Sequence, residues 1–207
     1  MLCRVCRFAL VAPAGLPVRH HSTDVIAAIA FAGRGRDVLL GFKYGNRRQL
    51  AHHLAGLLTR RLLKEGLEPG DFDVVTWAPT SRAHRRHRGF DQAEVVARRV
   101  ALQLGLPCRR MLEREGNLAQ TGRARADRLH GPVFRAAPSA AGRRVLVVDD
   151  VVTTGSTLRS AADALRAAGA ASVQRAAVAT TPALAAPAAR TRQAARPTHL
   201  TVVGRAA

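Results

Sequence analysis

Residues 145–157 read Val-Leu-Val-Val-Asp-Asp-Val-Val-Thr-Thr-Gly-Ser-Thr. The uninterrupted apolar run behind Arg144 is the pattern of a strand buried on both faces, and a small-residue loop around Gly155 then opens a helix. That helix carries Leu158, Ala161, Ala162, Leu165 and Ala168 and ends at Gly169, before a last strand from Ser172 to Ala179. Strand, helix and strand in this order form a βαβ unit, so the fold class is α/β with a mainly parallel sheet. Open parallel sheets bind ligands at the carboxyl ends of their strands, where Asp149 and Asp150 stand. Thr153, Thr154, Gly155, Ser156 and Thr157 offer backbone N–H groups and hydroxyls at a helix N-terminus, the chemistry of a phosphate cradle. Asp149 and Asp150 are acceptors for sugar hydroxyls or ligands for a hydrated Mg²⁺. Acids beside a phosphate loop imply a phosphosugar.

The preceding chain supports the same architecture. From Asn46, Leu50, Leu54, Leu57, Leu58 and Leu62 recur at helical spacing until Gly66 and Pro69. Asp73 to Trp77 reads as a short buried strand ended by Pro79, and Arg82, His84, Arg85, Arg86, His87 and Arg88 follow as a basic loop. Asp91 with Glu94 three residues on predicts a capping-box start to a helix that presents Ala93, Val96, Ala97, Val100 and Leu104 and stops at Gly105 and Pro107. Residues 113–131, rich in Arg and Gly, read as a long excursion between two short strands, the kind of loop that is functional or disordered. Three segments are expected: 1–30 as a Cys-pair segment and linker, 31–181 as the main domain, and 182–207 as an Ala/Arg/Pro-rich flexible tail.

Composition narrows the function classes. The chain has 207 residues, 47% hydrophobic but only 4% aromatic, so its core must rest on Ala, Val and Leu. No stretch approaches the roughly 20 apolar residues of a membrane span. The apolar run Phe8 to Ala14 is short for a signal peptide and contains Pro13, so a cytoplasmic location and no membrane insertion are expected. The net charge of +19 points to an anionic partner. Lys43 and Lys64 are nevertheless the only lysines among 33 basic residues, which resembles codon bias as much as a selected surface. Cys3, Cys6 and Cys108 cannot build a disulfide framework, which fits a reducing compartment. A receiver domain also opens with an apolar strand and paired acids, but beyond Asp150 the sole acid is Asp163 and no lysine occurs. Gly33-Arg-Gly35 reads as lacking both the strand and the third glycine of a dinucleotide fingerprint.

The thirteen residues from Val145 to Thr157 resemble the phosphoribosyl pyrophosphate (PRPP) signature of type I phosphoribosyltransferases. Trp77-Ala-Pro-Thr-Ser81 is similar to the pyrophosphate loop of that family, and residues 113–131 resemble its mobile catalytic loop. Phe42-Lys-Tyr-Gly45, Arg88-Gly-Phe-Asp-Gln-Ala93 and Cys3-x-x-Cys6-Arg7 further resemble the ComF family, associated with DNA uptake in bacterial competence. The resemblance implies a twisted, mainly parallel sheet flanked by helices, a small N-terminal hood, and release of pyrophosphate from PRPP on transfer of its phosphoribosyl group. It assigns ribose hydroxyls and Mg²⁺ to Asp149 and Asp150, and the 5-phosphate to Thr153, Thr154, Gly155, Ser156 and Thr157. Pyrophosphate falls to Pro79, Thr80, Ser81, Arg82 and Arg88, and loop closure to Arg123, Arg125 or Arg128. Implied partners are PRPP, a phosphoribosyl acceptor of unassigned identity and, as further candidates, single-stranded DNA and a second copy of the chain in a homodimer.

The chain departs from the ComF pattern at Asp91, where an Asn is usual, and in Arg125-Ala-Asp-Arg-Leu-His-Gly131. Cys3 and Cys6 have zinc-ligand spacing, but a tetrahedral site needs four ligands, so weak or no zinc binding is expected. ComF proteins usually carry a further Cys pair upstream. Either this start lies inside a longer reading frame or the module has decayed, and the first 20 or so residues are expected to be poorly ordered. The rival reading is a nucleic-acid-binding or regulatory protein with PRPP as allosteric ligand.

Overall fold

The structure, a computed structural model, describes residues 19–20, 24–45, 47–115 and 131–181. Its strands are β1 (Arg19–His20), β2 (Val25–Ala30), β3 (Val74–Trp77), β4 (Leu112–Arg114), β5 (Phe134–Ala136), β6 (Arg144–Val152) and β7 (Ser172–Thr180). Its helices are α1 (Gly33–Tyr44), α2 (Leu50–Lys64), α3 (Arg82–Arg88), α4 (Gln92–Leu104) and α5 (Ser156–Ala167). The main sheet runs β1-β2-β7-β6-β3, parallel throughout except for β1. β4 and β5 form a separate antiparallel pair. These findings match the expected parallel α/β class. Residues 1–18 and 21–23 of the segment expected at 1–30, with the pair Cys3 and Cys6, and the tail 182–207 lie outside the described residues.

Alternation along β6 sorts the core into two layers. Leu146 and Val148 face one cluster, shared with Phe42 of α1, Leu54 and Leu58 of α2 and Val96 and Val100 of α4. Val145 and Val147 face the other, with Leu158 and Leu165 of α5 and Phe134 of β5. Burying one such leucine contributes roughly 1.5–3 kcal/mol, and with 4% aromatics many residues of this size must share the load. β6 runs three residues past the expected end at Asp149, because its ladder with β7 continues through Val151↔Ala179 and Val152↔Thr180. Both acids therefore stand on rigid strand backbone.

Two regions differ from the sequence reading. Val25–Ala30, placed in the linker, pairs in parallel with β7, so the sheet begins before residue 31. A strand thus does precede Gly33-Arg-Gly35; the third glycine position is Val38, buried in the core. Gly35 has a packing reason instead, since a Cβ there would lie 2.7 Å from the Ala30 carbonyl oxygen. The second region is the basic segment after Ser81, which is a helix. The Ser81 hydroxyl accepts from His84 N–H at 3.2 Å, and Gly89, at φ 75°, ends the helix in the left-handed region.

Arg144 and Asp73 clamp the base of the β3–β6 pair, with Nη2 to Oδ1 at 2.8 Å. The guanidinium bonds hold the Asp73 carboxyl at about 2, below the usual 3.8. A depressed folded-state value means the stabilisation is complete above the unfolded-state pKa and is lost as pH falls through about 2. Asp73→Asn is therefore expected to lower the thermal midpoint at pH 7 and to flatten its decline between pH 4 and 2, read by circular dichroism.

Candidate functional site

At the carboxyl ends of β3 and β6 a cavity of about 120 Å³ is lined by Pro79, Thr80, Arg88, Asp149, Asp150 and Thr157, among others. The fold thus gathers into one place six of the residues singled out in the sequence. It adjoins a larger cavity of about 820 Å³, which shares Pro79, Thr80, Asp91 and Arg114 with it and takes in Ser81 and Arg82 at the start of α3. Thr153, Thr154, Gly155 and Ser156 form the turn leading to Thr157. There Gly155 sits at φ 75° as the N-cap of α5, and the Thr154 and Ser156 hydroxyls lie 3.0 Å apart. No acid occupies the first turn of α5, so the positive end of its dipole is unopposed within the helix.

Consecutive strand residues point to opposite faces, and the two acids meet different partners. Asp150 faces α1, where Lys43 Nζ lies 3.2 Å from its Oδ2. Asp149 accepts the Asp150 N–H at 2.8 Å and lies electrostatically close to Arg114 of β4. Burial, then the charge of Asp150, pushes the Asp149 carboxyl well above the ordinary carboxylate value. Burial pulls Arg114 below its usual value, an effect that Asp149 opposes. Such an acid gains from a cation or a donor-rich ligand brought to it.

Asp91 joins the two loops. Its Oδ1 accepts from Ala93 and Glu94 N–H at 3.1 and 3.4 Å, capping α4, and its Oδ2 accepts from Thr80 N–H at 2.9 Å. The reciprocal half of the expected capping box is absent, because Glu94 accepts from Arg98 instead. Burial raises the Asp91 carboxyl above its ordinary value, against the lowering effect of the Thr80 and Glu94 bonds. Asp91→Ala is expected to cost about 1–2 kcal/mol from the lost cap, with the Thr80 N–H orphaned as well. Urea denaturation reads the loss, and Asp91→Asn should recover the cap but not the Thr80 bond, because its single carboxamide oxygen cannot replace both Oδ1 and Oδ2.

Gln92 escaped the sequence reading although it sits in the Arg88-Gly-Phe-Asp-Gln motif. It is 1% exposed, its Oε1 accepts from Arg88 Nη1 at 3.1 Å, and its Nε2 has no partner. Arg88 Nε is likewise buried and unpartnered. Both residues line the smaller cavity, so two orphaned donors border it, and buried donors normally find an acceptor. Arg114 was also missed, at the edge of the excursion. The described chain leaves at Glu115, in the wall of the larger cavity, and resumes at Gly131, where a Cβ would lie 3.0 Å from Ser156 Cβ. Arg123, Arg125 and Arg128 lie outside the described residues.

The profile described as "Phosphoribosyl transferase domain" matches residues 88–193, more than half of the chain. The chain belongs to that family. Among solved structures it is similar to the glutamine phosphoribosylpyrophosphate (PRPP) amidotransferase of B. subtilis complexed with ADP and GMP, at 23% identity and a TM-score of 0.47, covering 67% of this chain and 30% of that one. It is also similar to the purine phosphoribosyltransferase of Pyrococcus horikoshii Ot3, at 20% identity and a TM-score of 0.42, covering 64% and 73%. A third is the hypoxanthine phosphoribosyltransferase of Trypanosoma cruzi, at 18% identity and a TM-score of 0.35, covering 65% and 76%. The chain spans about 30% of the length of the amidotransferase. No curated protein matches it.

Proposed function

We propose that the chain binds PRPP at the ends of β3 and β6 and transfers its phosphoribosyl group with release of pyrophosphate. The observation that carries this reading is the small cavity itself. It sets Asp149, Asp150 and Thr157 opposite Pro79 and Thr80 and is bordered by the orphaned donors of Arg88 and Gln92. In this reading Thr153 to Thr157 hold the 5-phosphate, Asp149 and Asp150 the ribose hydroxyls, and Thr80, Ser81 and Arg82 the pyrophosphate.

Asp149, raised by burial beside a second carboxylate, fits a Mg²⁺ that takes most of its oxygens from ligand and water. No group of three or more acidic, His or Cys side chains among the described residues offers a full protein cage. Mg²⁺, when bound with PRPP, supplies charge neutralisation for the departing pyrophosphate. Arg82, Arg85 and Arg114 around the larger cavity offer further positive charge on that side. Fixed donors aimed at developing charge are the main lever such a displacement needs.

The finer assignment, a cytoplasmic protein of ComF type linked to DNA uptake, rests on the resemblance of Phe42-Lys-Tyr-Gly45 and Arg88-Gly-Phe-Asp-Gln-Ala93. The competing reading, a nucleic-acid-binding protein with PRPP as effector, draws on the net charge of +19 and on the exposed basic side chains of α3. No helix among the described residues is long and apolar enough to cross a membrane. Pyrophosphate release from PRPP on adding a panel of nucleobases supports the transferase. Single-strand DNA affinity that falls steeply with salt and responds to PRPP, without pyrophosphate release, supports the competing reading.

A further inference from the structure

Between the last turn of α1 and the end of α3 lies another cavity, of about 540 Å³, lined by Lys43, Tyr44, Arg48, Arg86, His87 and Arg88 together with Gly89. Among the described residues no carboxylate lines it. It shares no lining residue with the 820 Å³ cavity and meets the 120 Å³ cavity at Arg88. Helix α3 spans the two outer cavities, with Arg82 and Arg85 in one and Arg86, His87 and Arg88 in the other. At the inner end Lys43 is paired with Asp150, in the wall of the central cavity. The small cavity therefore has one neighbour on the pyrophosphate-loop side and another on the α1 side.

The walls define a ligand chemistry. Arg88 donates to the Tyr44 hydroxyl at 3.2 Å and lies 5.1 Å from its ring centroid, yet Tyr44 remains 61% exposed, an unusual position for an aromatic in so aromatic-poor a chain. Arg48 is held 4.7 Å over the Phe90 ring, and Arg86 and His87 have no side-chain partner among the described residues. A flat ring with one open face, next to several cations without a counter-charge, fits a flat anion. Guanidinium forks bind anionic oxygens in pairs, and aromatic faces stack planar ligands.

We propose that this cavity receives the phosphoribosyl acceptor, and that the acceptor is a planar ring carrying an anionic group. The inference rests on the PRPP reading above and adds the acceptor class to it. In the displacement, the C1–O bond breaks with its electron pair leaving on pyrophosphate, a lone pair on the acceptor forms the new bond to C1, and a proton on the attacking atom passes to water. Leaving group and acceptor must approach C1 from different sides, and the two outer cavities, which share no lining residue with each other, each share at least one with the central cavity. An anionic acceptor beside polyanionic PRPP would be repelled unless cations stood between them, which is where Lys43 and Arg88 stand.

The test uses the full chain with PRPP and Mg²⁺, and two probe pairs that differ in charge: orotate against uracil, and nicotinate against nicotinamide. PRPP binding to the unaltered chain is measured first, and its absence defeats the PRPP reading and this proposal together. With PRPP bound, the anionic member of a pair is expected to bind at least ~10-fold tighter than the neutral one. Arg86→Glu should erase that preference while PRPP affinity moves less than about twofold, as expected if Arg86 serves the acceptor alone. Tyr44→Leu should weaken both members, and Tyr44→Phe should restore them. Equal affinity within the pairs, or no binding by either anion, overturns the proposal while leaving the PRPP reading intact. So does an Arg86→Glu chain that loses PRPP affinity equally, or one that loses single-stranded DNA instead of the anions.

Discussion

The variant Asp149→Asn with Asp150→Asn is expected to lose Mg²⁺-dependent PRPP binding while remaining folded. Two charged acceptors are worth roughly 3–6 kcal/mol to a ligand that hydrogen-bonds them, so affinity should fall by two orders of magnitude or more. Folding should survive for an independent reason. Burial and the Asp150 charge push the Asp149 carboxyl well above its ordinary value, so its charge is not what holds the fold together, and a neutral amide of the same shape removes the repulsion between the two acids. Lys43 loses its partner but keeps access to solvent, its side chain being 17% exposed. An unchanged near-ultraviolet spectrum beside a lost PRPP isotherm is the expected pair of results. Unchanged affinity in the double variant would remove the assignment of the ribose to these acids.

Gly155→Val is expected to weaken PRPP and ribose 5-phosphate alike. At φ 75° the residue occupies the left-handed region, where a β-branched side chain is strained by about 1–3 kcal/mol. Its turn also aims the first N–H groups of α5, and a Cβ crowds the approach of a phosphate to them. At least ~10-fold loss for both ligands is expected. Loss confined to PRPP would mean that the two phosphate subsites are reversed.

The parts of the fold that could be read from the sequence are those whose burial is one-sided or complete over a long run. The apolar run of β6, the leucine stripe of α2 and the Asp91-capped stripe of α4 each carry a period that a single window reveals. β2 and α1 do not. Val25-Ile-Ala-Ala-Ile-Ala is small and apolar throughout because both of its faces are covered, and a strand without alternation resembles a helical or linker segment. In α1 the buried face begins at Gly35, whose close approach to the Ala30 carbonyl leaves no room for a side chain, so its stripe is only Val38, Leu39 and Phe42 long. α3 buries none of its residues, so only its Ser81 and Gly89 caps signal a helix.

The site divides in the same way. Asp149, Asp150 and the turn to Thr157 are contiguous and carry their chemistry in one motif. Lys43, Arg114 and Gln92 reach the same place from α1, β4 and α4, and only the parallel pairing of distant strands brings them together. Gln92 shows the limit best. Its importance lies in an unpaired Nε2 at a cavity wall, a property of packing that its position after Asp91 does not announce.

Calorimetric titration of the full 207-residue chain with PRPP, in Mg²⁺ and again in excess EDTA, decides whether the ends of β3 and β6 form a PRPP site. A single saturable isotherm in Mg²⁺, weakened in EDTA and displaced by ribose 5-phosphate, is the predicted result. A flat titration in Mg²⁺, or binding that neither EDTA nor ribose 5-phosphate alters, would contradict it.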